Sequence, residues 1–379
     1  LKRFLQIITA LSVVIFLAGC GNLKNSDLSN NATTSTKKKS YQTTGSTAGE
    51  YSVLLRNGQY KISPISGITA TNNSNDVDLK NLESGLMSLS LAEFSANKFV
   101  FQEGQELTRA QVSAWLNRYD KKSNKNGLNP VDNKKTDADT RNPIYLEQVI
   151  EQDYLTGSGS TYELGGISIG LAMNSVDYFT KVKDGPQYKT TINRATQLEQ
   201  GKKIATKLLK QLRSRKKFQN IPIMIGIFSK TASDSLVGGN YLATGLAPDN
   251  KKSITDWKTV DEQSQVLPTI GNDKPINSND AESFSNFKAA VQGYFPNISG
   301  VIGRVHYRSG QLTSFEITVN TQFYGYAQIN SFAKLVLSSA KKFLPNNVPL
   351  EILVQSVNDP QALISKEKAN SAYNVHVFR

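Results

Sequence analysis

One pattern occurs twice along this chain, at a separation of 127 residues. Residues 197–212 carry apolar side chains at helical spacing, with Ile204, Leu208 and Leu212 in register and Ala205 and Leu209 beside them. A polar break follows, and Asn220-Ile221-Pro222 then opens an apolar run to Ile227. Residues 330–343 repeat the helical spacing with Phe332, Leu335, Val336 and Ala340, and Asn347-Val348-Pro349 opens the run to Val354. Strand-like residues precede each helix, at 167–173 and 312–319, and a further strand-like run follows each copy, at 241–246 and 373–378. An amphipathic helix and an alternating strand must each bury one face, and the economical solution is helix on sheet. The order predicts an α+β fold: two tandem repeats of a strand-helix-strand-strand unit, in mixed or antiparallel sheets with helices packed on one face. Residues 301–307 and 312–319 flank Arg308-Ser309-Gly310-Gln311 and read as a hairpin. The expected division is a first repeat domain over 49–265 and a second over 266–379.

The chain upstream of the first helix is less regular. Residues 51–55 alternate loosely as a strand, and 82–94 have helical spacing. Thr108 with Gln111 fits a capping box and Leu107 with Val112 a hydrophobic staple, which predicts a helix burying Val112, Trp115 and Leu116. Residues 121–142 read as a polar surface loop, and 145–154 as a short helix.

The N-terminus carries an address. Lys2 and Arg3 precede an apolar run over residues 4–18, which is short against the roughly 20 residues a spanning helix needs and has the form of a secretory leader. It ends in Leu17-Ala18-Gly19-Cys20, and Cys20 is the only cysteine. Such a lipobox predicts cleavage by signal peptidase II between Gly19 and Cys20, and diacylglycerol on the Cys20 thiol. Residues 1–19 are then a lipoprotein signal peptide. At about 0.8 kcal/mol per buried CH₂, two acyl chains hold a protein on a membrane where one chain is marginal. Residues 20–48, rich in Asn, Ser, Thr and Lys, form the lipidated cysteine and a tether with a typical span of roughly 30 Å. The triple lysine at 37–39 suits either anionic headgroups or simple solubility.

Composition removes several chemistries. One cysteine excludes a disulfide framework and a Cys-rich zinc site, and two histidines leave little for a histidine-built centre, so no metal and no cofactor are expected. No phosphate loop and no dinucleotide fingerprint is present. Gly166-Ile167-Ser168-Ile169-Gly170 matches a nucleophile elbow, with His306 and His376 downstream. The elbow needs a strand before the serine and a helix after it, whereas Ser168 here alternates with apolar neighbours as a strand residue. Both histidines also sit in alternating, strand-like runs. The net charge is +13, and Lys202, Lys203, Lys207, Lys210, Arg213, Arg215, Lys216 and Lys217 crowd one helix and its exit. Export argues against nucleic acid as the partner. Two readings stand beside each other: a surface for anionic wall polymers, or a solvated face whose cations suit the helix C-terminus.

With these residues assembled, the chain resembles the CamS-type sex-pheromone lipoproteins of Gram-positive bacteria. The likeness is carried by short segments spread over nearly the whole length, among them Glu83-Ser84-Gly85-Leu86-Met87, Phe101-Gln102-Glu103-Gly104-Gln105 and Gly127-Leu128-Asn129-Pro130. Glu151-Gln152-Asp153-Tyr154-Leu155, the stretch from Leu164 to Ala172, Tyr294-Phe295-Pro296-Asn297 and Gln322-Phe323-Tyr324-Gly325 continue it. The resemblance implies a duplicated surface lipoprotein on the outer face of the cytoplasmic membrane. It also implies that a short apolar peptide from the leader, here Val13, Val14, Ile15, Phe16, Leu17, Ala18 and Gly19, is released as a pheromone for conjugative plasmid transfer. It marks the Gly-x-Ser-x-Gly segment as ordinary fold. The leading expectation is a non-enzymatic, lipid-anchored protein. The alternatives are a binding module for wall polymer or small ligand in a groove between the repeats, with Phe323, Tyr324 and Tyr326 as candidate aromatic contacts, and a serine hydrolase centred on Ser168.

Overall fold

A computed structural model of the chain describes residues 40–45, 49–71, 76–294, 300–357 and 359–379. Residues Tyr41–Arg379 form one unit. It begins with a short antiparallel pair, β1 (Tyr41–Thr43) and β2 (Leu54–Arg56), and a helix, α1 (Asp76–Ser90).

The duplication is larger than the four-element unit expected. The first copy runs β3 (Val100–Glu103), α2 (Arg109–Leu116), β4 (Leu146–Ser158) and β5 (Thr161–Met173). A side hairpin, β6 (Val176–Thr180) and β7 (Gln187–Thr191), interrupts it. It resumes with α3 (Arg194–Arg213), β8 (Ile223–Ser229), β9 (Asn240–Ala247) and β10 (Trp257–Thr259). The second copy runs β11 (Glu262–Leu267), α4 (Ser278–Gln292), β12 (Gly300–Arg308) and β13 (Gln311–Thr321). It ends with α5 (Tyr326–Phe343), β14 (Leu350–Ser356), β15 (Asp359–Lys366) and β16 (Asn374–Val377). The two sheets have orders β10-β9-β8-β5-β4-β3 and β11-β12-β13-β14-β15-β16. Each contains one parallel pair, β5 with β8 and β13 with β14, spanned by a crossover helix. The Asn-x-Pro motifs do the same job in both: Pro222 and Pro349 precede the parallel strand, where no N–H is needed, and their carbonyls accept from Ile167 and Phe315 at 3.2 and 3.3 Å.

Three expectations change. The counterpart of β9 is β15; the 373–378 run contains β16, the edge strand equivalent to β10. Pro360 is accommodated in β15 at a register irregularity opposite Val354 and Gln355. Strand β11 spans residue 265, so sheet membership starts the second copy at Glu262. The stretch 145–154, expected as a helix, lies in strand β4 from Leu146 onward. Its register shifts between Leu146 and Gln148, which puts Leu146 and Val149 on one face and Ile150 and Tyr154 on the other. A bulge thus imitates helical spacing.

The first sheet is covered on both faces. Ile167, Ile169, Leu171 and Met173 of β5 meet α2 and α3, including Trp115 and Leu208. On the other face, Leu82 and Leu86 of α1 join Phe94, Tyr154, Phe228 and Tyr241. The approach of α1 is close: a Cβ on Gly85 would lie 2.8 Å from the Tyr241 ring, and one on Gly226 would lie 2.6 Å from it. The second sheet packs α4 and α5 on one face through Phe284, Phe287, Phe332 and Val336. Its other face alternates outward as Ile302, Arg304, His306 and Arg308.

Candidate functional site

The leader residues Val13 to Gly19, the lipidation site Cys20 and most of the tether lie outside the described residues. No helix among the described residues is long and apolar enough to cross a membrane, and no group of three or more potential ligands there could hold a metal ion.

Ser168 is wholly buried in the middle of β5, and its hydroxyl pairs with Ser90 at 2.7 Å. Neither histidine is its partner. The serine-hydrolase reading of Ser168 is thereby corrected: a central strand covered by α1 leaves no substrate access to that hydroxyl. His376 lies on edge strand β16, edge-on to Phe378 at 4.8 Å. Phe323 packs edge-on against Phe332 at 5.5 Å, while Tyr324 and Tyr326 stand exposed at the start of α5. None of the three reaches the space between the repeats.

The basic helix divides. Lys203, Lys207, Lys210, Lys216 and Lys217 are exposed, and Lys203 pairs with Glu199 at 2.5 Å. Arg213 is buried, and its guanidinium donates to the carbonyls of Ile221, Ala247, Pro248 and Lys251 at 2.7–3.0 Å. It ties the end of α3 to the loops around β8 and β9, and is no part of a polymer surface.

The copies do share a cleft, of about 410 Å³. One wall is the uncovered face of β11 and β12, with Glu262, Ser264, Arg304, His306 and Arg308. The other is α1 with Lys80, Asn81 and Ser84, and the glycine turn Gly238-Gly239. Asp78 holds that turn, accepting from Gly239 N at 2.6 Å and from the Thr231 hydroxyl at 3.1 Å. Glu262 is the cleft's anchor. It accepts the Arg308 guanidinium at 2.7 and 3.0 Å and the Tyr241 main-chain N–H at 3.1 Å. Burial pushes its carboxyl up, but the neighbouring His306 imidazole and the hydrogen bonds from Arg308 and Tyr241 prevail and hold it below the ordinary glutamate value. The Ser264 hydroxyl donates to Asn240 Oδ1 at 2.8 Å and lies 2.9 Å from His306 Nδ1. His306 Nε2 is 3.9 Å from Glu262, beyond hydrogen-bond length. Because the serine proton is committed to Asn240, His306 stands to Ser264 as donor and not as base. The arrangement can orient a polar ligand, with Arg304 and Lys80 at its edge. Of these residues sequence reasoning singled out only His306, as a strand residue, although Arg304, His306 and Arg308 at every second position of a strand mark one charged face.

Fold and cleft define a class: a duplicated α+β protein whose two six-stranded sheets meet at a polar cleft. The family model described as CamS sex pheromone cAM373 precursor matches residues 60–372, and the chain belongs to that family. It is similar to the crystal structure of a sex pheromone precursor from Lactobacillus salivarius subsp. salivarius UCC118, with 38% identity and a TM-score of 0.84, covering 89% of this chain and 99% of that one. It is also similar to the C-terminal domain of the sex pheromone staph-cAM373 precursor from Staphylococcus aureus, with 27% identity and a TM-score of 0.69, covering 82% and 99%. No curated protein sequence matches it.

Proposed function

We propose that this chain is a surface lipoprotein, held on the outer face of the cytoplasmic membrane by diacylglycerol on Cys20, and that its leader yields a sex-pheromone peptide acting in conjugative plasmid transfer. The observation that carries the reading is the coincidence of the sole cysteine with the end of the apolar leader, in a chain of the pheromone-precursor family. Signal peptidase II cleaves before Cys20, and a second cut within the leader frees a peptide ending at Gly19. That peptide has no charged side chain and suits an apolar receptor groove. The folded unit takes no catalytic part. Mass spectrometry of the culture medium tests this: the expected result is an apolar peptide ending at Gly19, and absence of every fragment with that end contradicts it.

The inter-repeat cleft favours a second reading of the folded unit, as a binding module for anionic wall polymer or a small polar ligand. Arg304 and Lys80 supply the cations at its edge. Cosedimentation with purified wall teichoic acid at low salt is expected to pull down the full chain and to fail with Arg304→Ser. Equal recovery of both proteins, or of neither, removes this reading.

A further inference from the structure

Behind α1, on the side away from the inter-repeat cleft, lies a second concavity of about 570 Å³. Its walls are apolar, and three of them are unusually open to water: Tyr60 is 49% exposed, Ile62 69% and Leu79 37%. Met87, Phe101 and Ile150 form its floor. Clustered exposed apolar side chains of this kind mark a surface built to be covered.

The charged groups in the groove are chiefly acids. Glu83 comes from α1, Glu103 from β3 and Glu151 from β4, and Lys80 is the one cation on the rim among the described lining residues. Burial, with the Glu103 carboxylate beside it, pushes the Tyr60 phenol up to about 12. Burial and then the Glu103 charge raise the Glu83 carboxyl, and both acids line the groove. Glu151 is 3% exposed; its Oε2 accepts the N–H groups of Glu106 and Leu107 at 3.1 and 3.0 Å, while its Oε1 has no hydrogen-bond partner among the described residues. Glu83 and Glu103 are the carboxylates that the groove offers to a donor cation.

An apolar trough ending in carboxylates selects a molecule with an apolar body and an ammonium head. Ser63, Ser66 and Gln148 also border it and can pair with main-chain amides, which favours a peptide over a plain alkylamine. We propose that this groove binds the free N-terminus of a short apolar peptide, the α-ammonium group meeting Glu83 and Glu103 and the side chains lying against Tyr60, Ile62 and Leu79. The site goes beyond the anchoring and leader processing proposed above and does not depend on them.

Calorimetric titration of the full chain with the amidated peptide Leu-Ile-Val-Phe, in free and N-acetylated forms, tests it. The free form is expected to bind roughly tenfold or more tightly than the acetylated one, as loss of a hydrogen-bonded charge requires. Glu83→Gln with Glu103→Gln is expected to erase that preference. Ile62→Ser, at a position open enough to leave folding intact, is expected to weaken both forms together. Equal affinity of the free and acetylated peptides, binding of neither, a preference that survives the double substitution, or hexylammonium binding as tightly as the peptide would each overturn the proposal.

Discussion

The Glu262 carboxylate, on the first strand of the second copy, accepts the main-chain N–H of Tyr241 in the first copy at 3.1 Å. The same carboxylate holds Arg308. Glu262→Ala leaves a buried N–H unpaired and is expected to cost about 2–3 kcal/mol in chemical denaturation. Glu262→Gln keeps an acceptor for Tyr241 and should cost less. Because the folded carboxyl titrates below its ordinary value of 4.5, its contribution is present above that pH and is lost as pH falls through the lower folded value. Stability measured on acidification should therefore fall less steeply in Glu262→Gln than in the native chain.

Glu151 behaves with the opposite sign. Burial lifts its carboxyl from 4.5 to about 7, and burial and the neighbouring Glu151 charge also raise Asp153. Between pH 4.5 and 7 the folded chain holds a proton that the unfolded chain has released, so stability declines as pH rises through that window. Glu151→Gln, whose amide oxygen can still accept from Glu106 and Leu107, should flatten the pH dependence of the denaturation midpoint between these limits.

Arg213 was grouped by sequence with a run of surface lysines, yet it is 2% exposed and donates to the loops on both sides of β8 and β9. Arg213→Met is expected to lose at least about 3 kcal/mol, since several buried carbonyls lose their donor together. Arg213→Lys should recover only a minor part, because one ammonium cannot span the fork.

The packing of α1 rests on small residues. Gly226→Ala brings a methyl within 2.6 Å of the Tyr241 ring and is expected to destabilise by about 1–3 kcal/mol. Ser168→Ala, by contrast, removes one hydroxyl whose partner Ser90 keeps its bond to Leu86 O at 2.7 Å, and should cost about 1 kcal/mol or less.

What the sequence made legible was local and periodic. The Thr108 cap appears as expected, its hydroxyl accepting from Gln111 N at 3.3 Å, and Val112, Trp115 and Leu116 are buried. The crossover helices and Asn-x-Pro strands were also readable, because each is a 3.6-period or apolar run with clear ends. Strand β4 was not. Its bulge breaks the alternation, and it buries Glu147, Glu151 and Asp153, charges that mark a solvated face when only the sequence is seen. The cleft was foreseen as a space between repeats but not in its residues. Glu262, Arg308 and Lys80 come from three elements, and only the sheet topology brings them together.

The central claim is chemical and lies at one sulfur atom. Intact mass spectrometry of the native protein extracted from membranes reads it directly. The account predicts a chain beginning at Cys20 and carrying diacylglycerol; a chain that retains residues 1–19, or a Cys20 free of lipid, contradicts it.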